Sequence, residues 1–230
     1  MSRKIIDLSY PLHEGMTTYP VHWHPVVEIT QLGRHGIENR ETRKIVLGTH
    51  IGTHIDAPRH FIPGGKTVES IPLDLLVGTA RVVRLRGCSI KQELQIDDLR
   101  KVLGREKPKR LILDLGWSKH WGTMNFYTDH AFLSNDCAQW LVDRGVRLLG
   151  MDTPQMDSPD HGRNSGNDSP VHKIMLGQGV IFLEYMNNLA KVRTDHVELY
   201  VLPLNILGAD GAPCRCIAFE LPSTTRKGSS

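Results

Sequence analysis

The pattern of hydrophobic and polar positions along the chain predicts more strand than helix. Apolar, β-rich runs predict strands at 4–9, 26–31, 42–49, 80–85, 110–115, 147–151, 180–184, 197–204 and 216–221. Start and stop signals predict helices over 70–76, 96–103, 134–142 and 171–176. We expect an α/β protein whose mixed, mostly β core is flanked by helices.

The same pattern sets the domain organisation. No internal repeat or linker divides the chain, so residues 1–222 are predicted to form a single domain. Residues 223–230 (STTRKGSS) have the composition of a flexible C-terminal tail.

One polar stretch, HIGTHIDAPRHF at 50–61, interrupts the hydrophobic pattern and predicts a site. In an extended strand its chemically active side chains would share one face, since they occupy even positions: His50, His54, Asp56 and His60. Ile51 and Ile55 would point into the core. Gly52, Thr53 and Pro58 argue against a helix. Past Pro58 the strand register need not hold, so His60 is predicted to lie beside a metal rather than on it, where a general acid or base belongs.

Nitrogen and carboxylate ligands of this kind suit Zn²⁺ and Mn²⁺. The chain has 12 His among 230 residues, which also favours a metal or proton-transfer site. A net charge of +3 with scattered basic residues gives no support to nucleic-acid binding. The sequence has no apolar run long enough for a membrane span. Four cysteines without a C-x-x-C pair are typical of a reduced, cytoplasmic protein.

A second candidate pair is His172 and Glu184. Alone the pair is a weak signal, but Glu184 ends the apolar run VIFLE, where a buried carboxylate needs a cation or hydrogen-bond donors. The loop acids Asp152, Asp157 and Asp160 are expected to be solvated or turn-forming. The segment His22-Trp23-His24 could either line a pocket or lie on the surface. No serine nucleophile elbow or phosphate-binding loop is present.

The motif H-x-G-T-H-x-D-x-P-x-H-F at 50–61 resembles the signature of the cyclase family, which includes bacterial kynurenine formamidase and isatin hydrolase. The resemblance extends to DLSYPLHEGM at the N-terminus, IPLDLLVG, DLGW and WLVDRGVRLLGMDTPQMD. It implies the swivelling β/β/α-like fold of that family.

The resemblance also implies roles for individual residues. His50, His54 and Asp56 would hold a first metal, and His60 would be the proton carrier. His172 and Glu184 would complete a second metal site, with Asp56 and Glu184 bridging the two ions. Two further residues, Tyr19 and Trp23, are predicted to bind substrate.

This sequence differs from the family pattern in two places. Members commonly have Pro-Gly-Asp after the aromatic position that Tyr19 occupies, whereas this chain continues Pro20-Val-His-Trp-His-Pro25. Gln155 stands where Ser is frequent. The first difference predicts a changed substrate-facing loop, and both argue against formylkynurenine itself as the substrate.

We therefore expect an arylformamidase-like, metal-dependent hydrolase of an amide, formamide or lactam bond in a small aromatic substrate. Hydroxide generated on Zn or Mn, with one or two ions per subunit, would attack, and His60 would shuttle the proton. The alternatives are a metal-dependent cyclase or dehydratase of a small metabolite and a metal-dependent binding protein. The family resemblance implies a homodimer or homotetramer that acts on a small molecule without nucleic acid or membrane partners.

Overall fold

The computed structural model describes residues 4–162 and 165–222. Within those ranges the strands are β1 Ile5–Asp7, β2 Glu28–Gly33, β3 Thr42–Val46, β4 His54–Asp56, β5 Val77–Arg84, β6 Glu93–Leu94, β7 Arg110–Asp114, β8 Phe132–Leu133, β9 Leu148–Met151, β10 Ile181–Glu184, β11 His196–Pro203 and β12 Gly211–Glu220. The helices are α1 Leu73–Leu76, α2 Ile96–Leu103, α3 Asn125–Thr128, α4 Asn135–Asp143 and α5 Pro170–Gly177.

The main sheet closes on itself through β12. Its order is β1-β12-β11-β5-β7-β9-β10-β4, and β12 also pairs with β4, so seven strands form a barrel and β1 is added at one edge. The pairs β5–β7, β7–β9 and β9–β10 are parallel, and the remaining pairs of this sheet are antiparallel. The fold is therefore the mixed α/β architecture predicted from the sequence, and that prediction is confirmed.

Strands buried on both faces separate two hydrophobic clusters. On β7, Ile112 points into the cluster inside the barrel, while Leu111 and Leu113 point outward to the cluster beneath the helices. Strands of this kind read as continuous apolar runs because helices cover their outer face. This burial on both faces explains why the apolar runs RLILD and IFLE predicted strands.

Two helices begin where their capping residues predict. The Ser134 side chain accepts a hydrogen bond from the Cys137 backbone N–H at the start of α4. Gln95 and Asp98 form a capping box at the start of α2.

The predicted start of α1 is wrong. The Ser70 hydroxyl donates to the Thr67 carbonyl and closes a preceding 3-10 turn, so α1 begins at Leu73. Two further features were not predicted from the sequence. The 117–129 segment contains a 3-10 turn and α3, and β6 and β8 form a small parallel sheet.

The structure does not test the predicted C-terminal tail or the predicted domain limits. The predicted tail at 223–230 lies outside the described residues, and the limits of the 1–222 domain stay a prediction. No helix in the described ranges is both long and apolar enough to cross a membrane.

Candidate metal centre

Strand β4 lies between β10 and β12 and carries the centre of the site. Its register places Glu184 opposite His54, and Gly211 of β12 opposite Asp56. Residues opposite each other, and residues two apart on one strand, share a face of a sheet. His54, Asp56 and Glu184 therefore point to the same outer face, while Ile55 packs inside the barrel.

His50 reaches this face from outside the strand, which corrects the predicted strand over the whole stretch. The chain bends at Gly52, whose φ of +56° breaks the extended conformation, and β4 begins only at His54. A Cβ on Gly52 would also lie 2.7 Å from Leu12 Cδ2. Ile51 consequently joins a different hydrophobic cluster from Ile55.

The side chains of this cluster are close together. His50 Nδ1 lies 2.7 Å from Asp56 Oδ1, and His54 Nε2 lies 3.2 Å from the same oxygen. Glu184 Oε2 lies 3.5 Å from His54 Nε2. On the other side, His172 Nε2 lies 3.5 Å from both Asp56 Oδ2 and Glu184 Oε1. Each carboxylate thus turns one oxygen toward His54 and the other toward His172.

His172 comes to the site on α5, and a buried acid holds it there. Asp157 accepts hydrogen bonds from the backbone N–H groups of Val171 and His172, and its Oδ2 lies 2.5 Å from His172 Nδ1. Asp157 and Asp152 have no exposed surface, so the expectation of solvated loop acids is wrong for both. Asp152 instead binds the backbone N–H groups of 115, 117 and 118. Asp160 is exposed and paired with Lys91.

His60 lies beside the cluster in a 3-10 turn, Pro58–His60, rather than on a strand. The His60 and His50 ring centroids are 3.8 Å apart. Asp210 Oδ2 is 3.1 Å from His60 Nδ1 and 2.7 Å from His50 Nε2. One ligand atom of each of His50, Asp56 and His60 lies within 4.8 Å of the others.

The electrostatics of the centre favour a positive charge beside the carboxylates. Burial and the neighbouring charge of Asp56 raise the pKa of Glu184. Burial also opposes ionisation of Asp56, but His50 and His60 hold its pKa well below the usual range. Burial lowers the pKa of His50, yet Asp56 and Asp210 outweigh it and raise that pKa to about 10. Burial lowers the pKa of His60, which favours the neutral ring that a proton acceptor needs.

These residues fit a divalent cation. Three of their buried atoms have no hydrogen-bond partner among the described residues: His54 Nε2, Asp56 Oδ2 and Glu184 Oε1. Such atoms are costly unless a ligand satisfies them. His54 Nδ1 donates to the Gly52 carbonyl at 2.8 Å, so a neutral ring leaves the Nε2 lone pair for a metal. Ligands in a tetrahedral zinc site lie about 3.3 Å apart, comparable to the separations of 2.7–3.5 Å here.

A cavity of about 390 Å³ opens above the cluster. Tyr19, Trp23, Phe61 and Tyr185 form its aromatic walls. The Tyr19 hydroxyl accepts a hydrogen bond of 3.2 Å from Gln155 Nε2, so one of the two sequence differences contacts the predicted substrate-binding tyrosine. A cavity of this size holds a small aromatic molecule.

The His22-Trp23-His24 segment forms a turn at the cavity mouth. His24 and the half-exposed Trp23 line the cavity, whereas His22 is exposed and does not. The pocket interpretation therefore applies to two of the three residues. Burial lowers the pKa of His24 to about 4, so this ring is neutral near pH 7.

Sequence reasoning missed two acids of the site, Asp157 and Asp210. Both lie far along the chain from the histidines they contact, and neither carries a spacing signal. The only available hint for Asp157 was its place in a long polar loop before α5, since such loops are frequently functional.

The fold and the site, together with the similar proteins described below, place this protein in the class of metal-dependent hydrolases. Within that class, the chain belongs to the family described as putative cyclases, whose model matches residues 6–158.

Similar proteins agree with this assignment. The chain is 32% identical to a kynurenine formamidase of Bacillus cytotoxicus over 216 residues, covering 92% of this chain and 95% of the relative. It is also similar to the structure of a predicted metal-dependent hydrolase from Bacillus stearothermophilus, with a TM-score of 0.78, 27% identity and coverage of 96% and 100%. An isatin hydrolase bound to the product analogue thioisatinate shares the fold, with a TM-score of 0.83, 20% identity and coverage of 96% and 93%.

Proposed function

We propose that this protein hydrolyses an amide-type C–N bond, a formamide or a lactam, in a small aromatic substrate. The observation that carries the proposal is the buried histidine–carboxylate cluster, with unpaired ligand atoms, at the base of an aromatic cavity. The similarity to a kynurenine formamidase supports the bond type and the aromatic character of the substrate.

The proposed ligands would hold one or two ions, since Asp56 and Glu184 each turn one oxygen toward His54 and the other toward His172. His50, His54 and Asp56 Oδ1 would hold one ion, and His172, Asp56 Oδ2 and Glu184 Oε1 the other. We propose zinc or manganese, since histidine and carboxylate ligands suit both. A divalent cation bound there would lower the pKa of a water molecule and polarise the substrate carbonyl.

His60 would move the proton in this reaction. Its Nδ1 donates to Asp210, so the neutral ring keeps a lone pair on Nε2. Nε2 would accept the proton of the attacking water and deliver it to the departing nitrogen as the C–N bond breaks. Tyr19 and Trp23 would hold the aromatic ring against the cavity wall, with Gln155 fixing the Tyr19 hydroxyl.

The test combines elemental analysis with product mass. Purified protein, loaded with Zn²⁺ or Mn²⁺, is incubated with aryl formamides, aryl lactams and linear keto acids. We expect one or two ions per chain and products that have gained one water from the first two groups. Loss of water from a keto acid would instead establish a cyclase or dehydratase, and tight retention of ligand without turnover would establish a binding protein.

We further propose a homodimer or homotetramer in the cytoplasm. The hairpin of β2 and β3 pairs with no other strand among the described residues, and it exposes Leu32 and Ile45. An isolated hairpin is marginally stable, and a second subunit would cover these apolar side chains. All four cysteines are free thiols, which suits a reducing compartment. Light scattering would give the number of subunits, and a monomer would refute this proposal.

A further inference from the structure

The carboxylate of Asp210 contacts two histidines of the site at once. We propose that Asp210 is a positioning residue that fixes the ring orientation and tautomer of both His50, a metal ligand, and His60, the proton carrier. The inference rests on the proposed function, and it adds a residue that stands outside the metal-ligand motif.

One oxygen atom makes both contacts. Asp210 Oδ2 is 2.7 Å from His50 Nε2 and 3.1 Å from His60 Nδ1, and the two rings lie 3.8 Å apart with 33° between their planes. An ionised carboxylate only accepts hydrogen bonds, so both nitrogens donate. His50 also donates through Nδ1 to Asp56 in the metal-free protein; with a cation bound it would release that proton and keep Nε2–H on Asp210, while a neutral His60 keeps its lone pair on Nε2. A single carboxylate oxygen of Asp210 therefore determines which nitrogen of each ring keeps its proton.

The barrel itself holds Asp210 at this point. Asp210 immediately precedes β12, whose Gly211 is paired with Asp56 of β4. The Asp210 carbonyl accepts a hydrogen bond of 2.9 Å from the Ala57 backbone N–H. A Cβ on Gly211 would lie 2.6 Å from His50 Cε1, so His50 packs directly on the strand that carries the acid. The contact is therefore set by strand pairing.

A simple surface ion pair would have little effect on metal affinity or kcat, since solvent screens exposed charges. Asp210 resembles such a residue in exposure, with a side chain 37% accessible. The two histidines that Asp210 contacts are not surface residues of this kind, because the His50 side chain is only 9% accessible and both rings line the cavity. Acids that orient metal-bound histidines typically change metal affinity or activity 10–100-fold when removed. The exposed pair of Asp7 and Arg215, with Asp7 41% accessible, is a matched comparison on the same sheet.

The test compares Asp210→Ala, Asp210→Glu and the control Asp7→Ala with the wild type. Metal affinity is measured by competition with a chelator, and kcat and KM on the best aryl formamide or lactam. For Asp210→Ala we expect metal affinity and kcat to fall roughly 10–100-fold with KM changed less than about twofold. Asp210→Glu restores part of both, and Asp7→Ala stays at wild-type values. Nitrogen-15 NMR of the metal-free wild type should show His60 protonated on Nδ1.

Wild-type affinity and kcat in Asp210→Ala would overturn the proposal, and so would a wild-type His60 protonated mainly on Nε2. The NMR measurement needs only the wild type, so it decides the question even if the alanine variant does not fold. If the wild type turns over none of the substrates, the proposed function fails. Metal affinity and the His60 tautomer, which need no turnover, then still decide the role of Asp210.

Discussion

Each histidine of the candidate metal centre turns one ring nitrogen toward Asp56 or Glu184, because the other nitrogen donates to a backbone or carboxylate oxygen. The acceptor is the Gly52 carbonyl for His54, Asp157 for His172 and Asp210 for His50. At the scale of the residue, the histidine supplies the ring nitrogen, and the oxygen that accepts from its other nitrogen sets the direction of the lone pair.

Removing the proposed proton carrier should slow chemistry without emptying the site. In His60→Ala we expect kcat to fall roughly 10²–10⁴-fold, the usual contribution of general acid–base catalysis, while metal content is unchanged. Steady-state kinetics and elemental analysis of the same preparation check this.

The control for that variant is His35→Ala, which removes an exposed histidine from the loop between β2 and β3. It should keep wild-type kcat and metal content. Near wild-type turnover of His60→Ala with full metal occupancy would show that another group moves the proton.

At the scale of the element, Asp157 connects the start of α5 to the candidate metal centre. The Ser169 side chain makes no capping hydrogen bond, and Asp157 instead accepts from two backbone N–H groups at the start of α5. The same carboxylate orients His172. The helix and the proposed ligand His172 are thus positioned together.

Asp157→Ala should therefore lower both stability and metal affinity. We expect unfolding free energy to fall by roughly 2–4 kcal/mol, because two buried N–H groups and a buried imidazole lose their acceptor. Metal affinity should fall about 10-fold or more. Denaturant unfolding of the metal-free protein and chelator competition measure the two effects separately.

Asp97→Ala is the matched control, since Asp97 is an exposed acid in the first turn of α2. It should change the unfolding free energy by less than about 0.5 kcal/mol. Equal destabilisation by the two substitutions would contradict the specific role of Asp157.

The pairing of β4 with β12 leaves no space for a side chain at Gly211. A Cβ there would lie 2.6 Å from His50 Cε1 and 2.8 Å from the Ile55 carbonyl. Gly211→Ala should displace His50 and weaken metal binding, as chelator competition would detect. Gly36→Ala, at a glycine with no atom within 4 Å of the added carbon, should leave metal binding unchanged.

At the scale of the whole molecule, a buried histidine outside the metal centre links folding to pH. His130 is fully buried, its Nε2 donates to the Asp157 carbonyl, and burial lowers its pKa to about 4. In the unfolded chain the pKa is about 6.5. The unfolded state therefore binds the proton first as pH falls, and stability that is complete above pH 6.5 is lost toward pH 4.

His130→Gln, which keeps a donor to the carbonyl, should remove this pH dependence. Between pH 7.5 and 5 the metal-free wild type should lose about 2 kcal/mol more unfolding free energy than the variant. Denaturant titrations at the two pH values give the difference. An identical loss in both proteins would show that His130 already binds a proton in the folded state at pH 5.

Local signals predicted the fold class well. Apolar runs such as RLILD and IFLE became barrel strands, and Ser134 capped α4 as predicted, because each depends on neighbours a few positions away. The predicted strand through His50 was wrong because Gly52 adopts a positive φ, which ends the extended conformation before His54. Glycine permits that conformation, but its presence in a sequence does not require it.

By itself the sequence determined which chemistry is available: a dense group of histidine and carboxylate ligands at 50–60 and a buried carboxylate at Glu184. Residue type and short spacing carry that information. Only the tertiary structure decided which acids act on those ligands, since Asp210 lies 160 positions from His50 and 150 from His60. Such contacts follow from strand register around a closed barrel, where the pairing of β4 with β12 brings distant parts of the chain together. No local pattern of residues encodes that pairing.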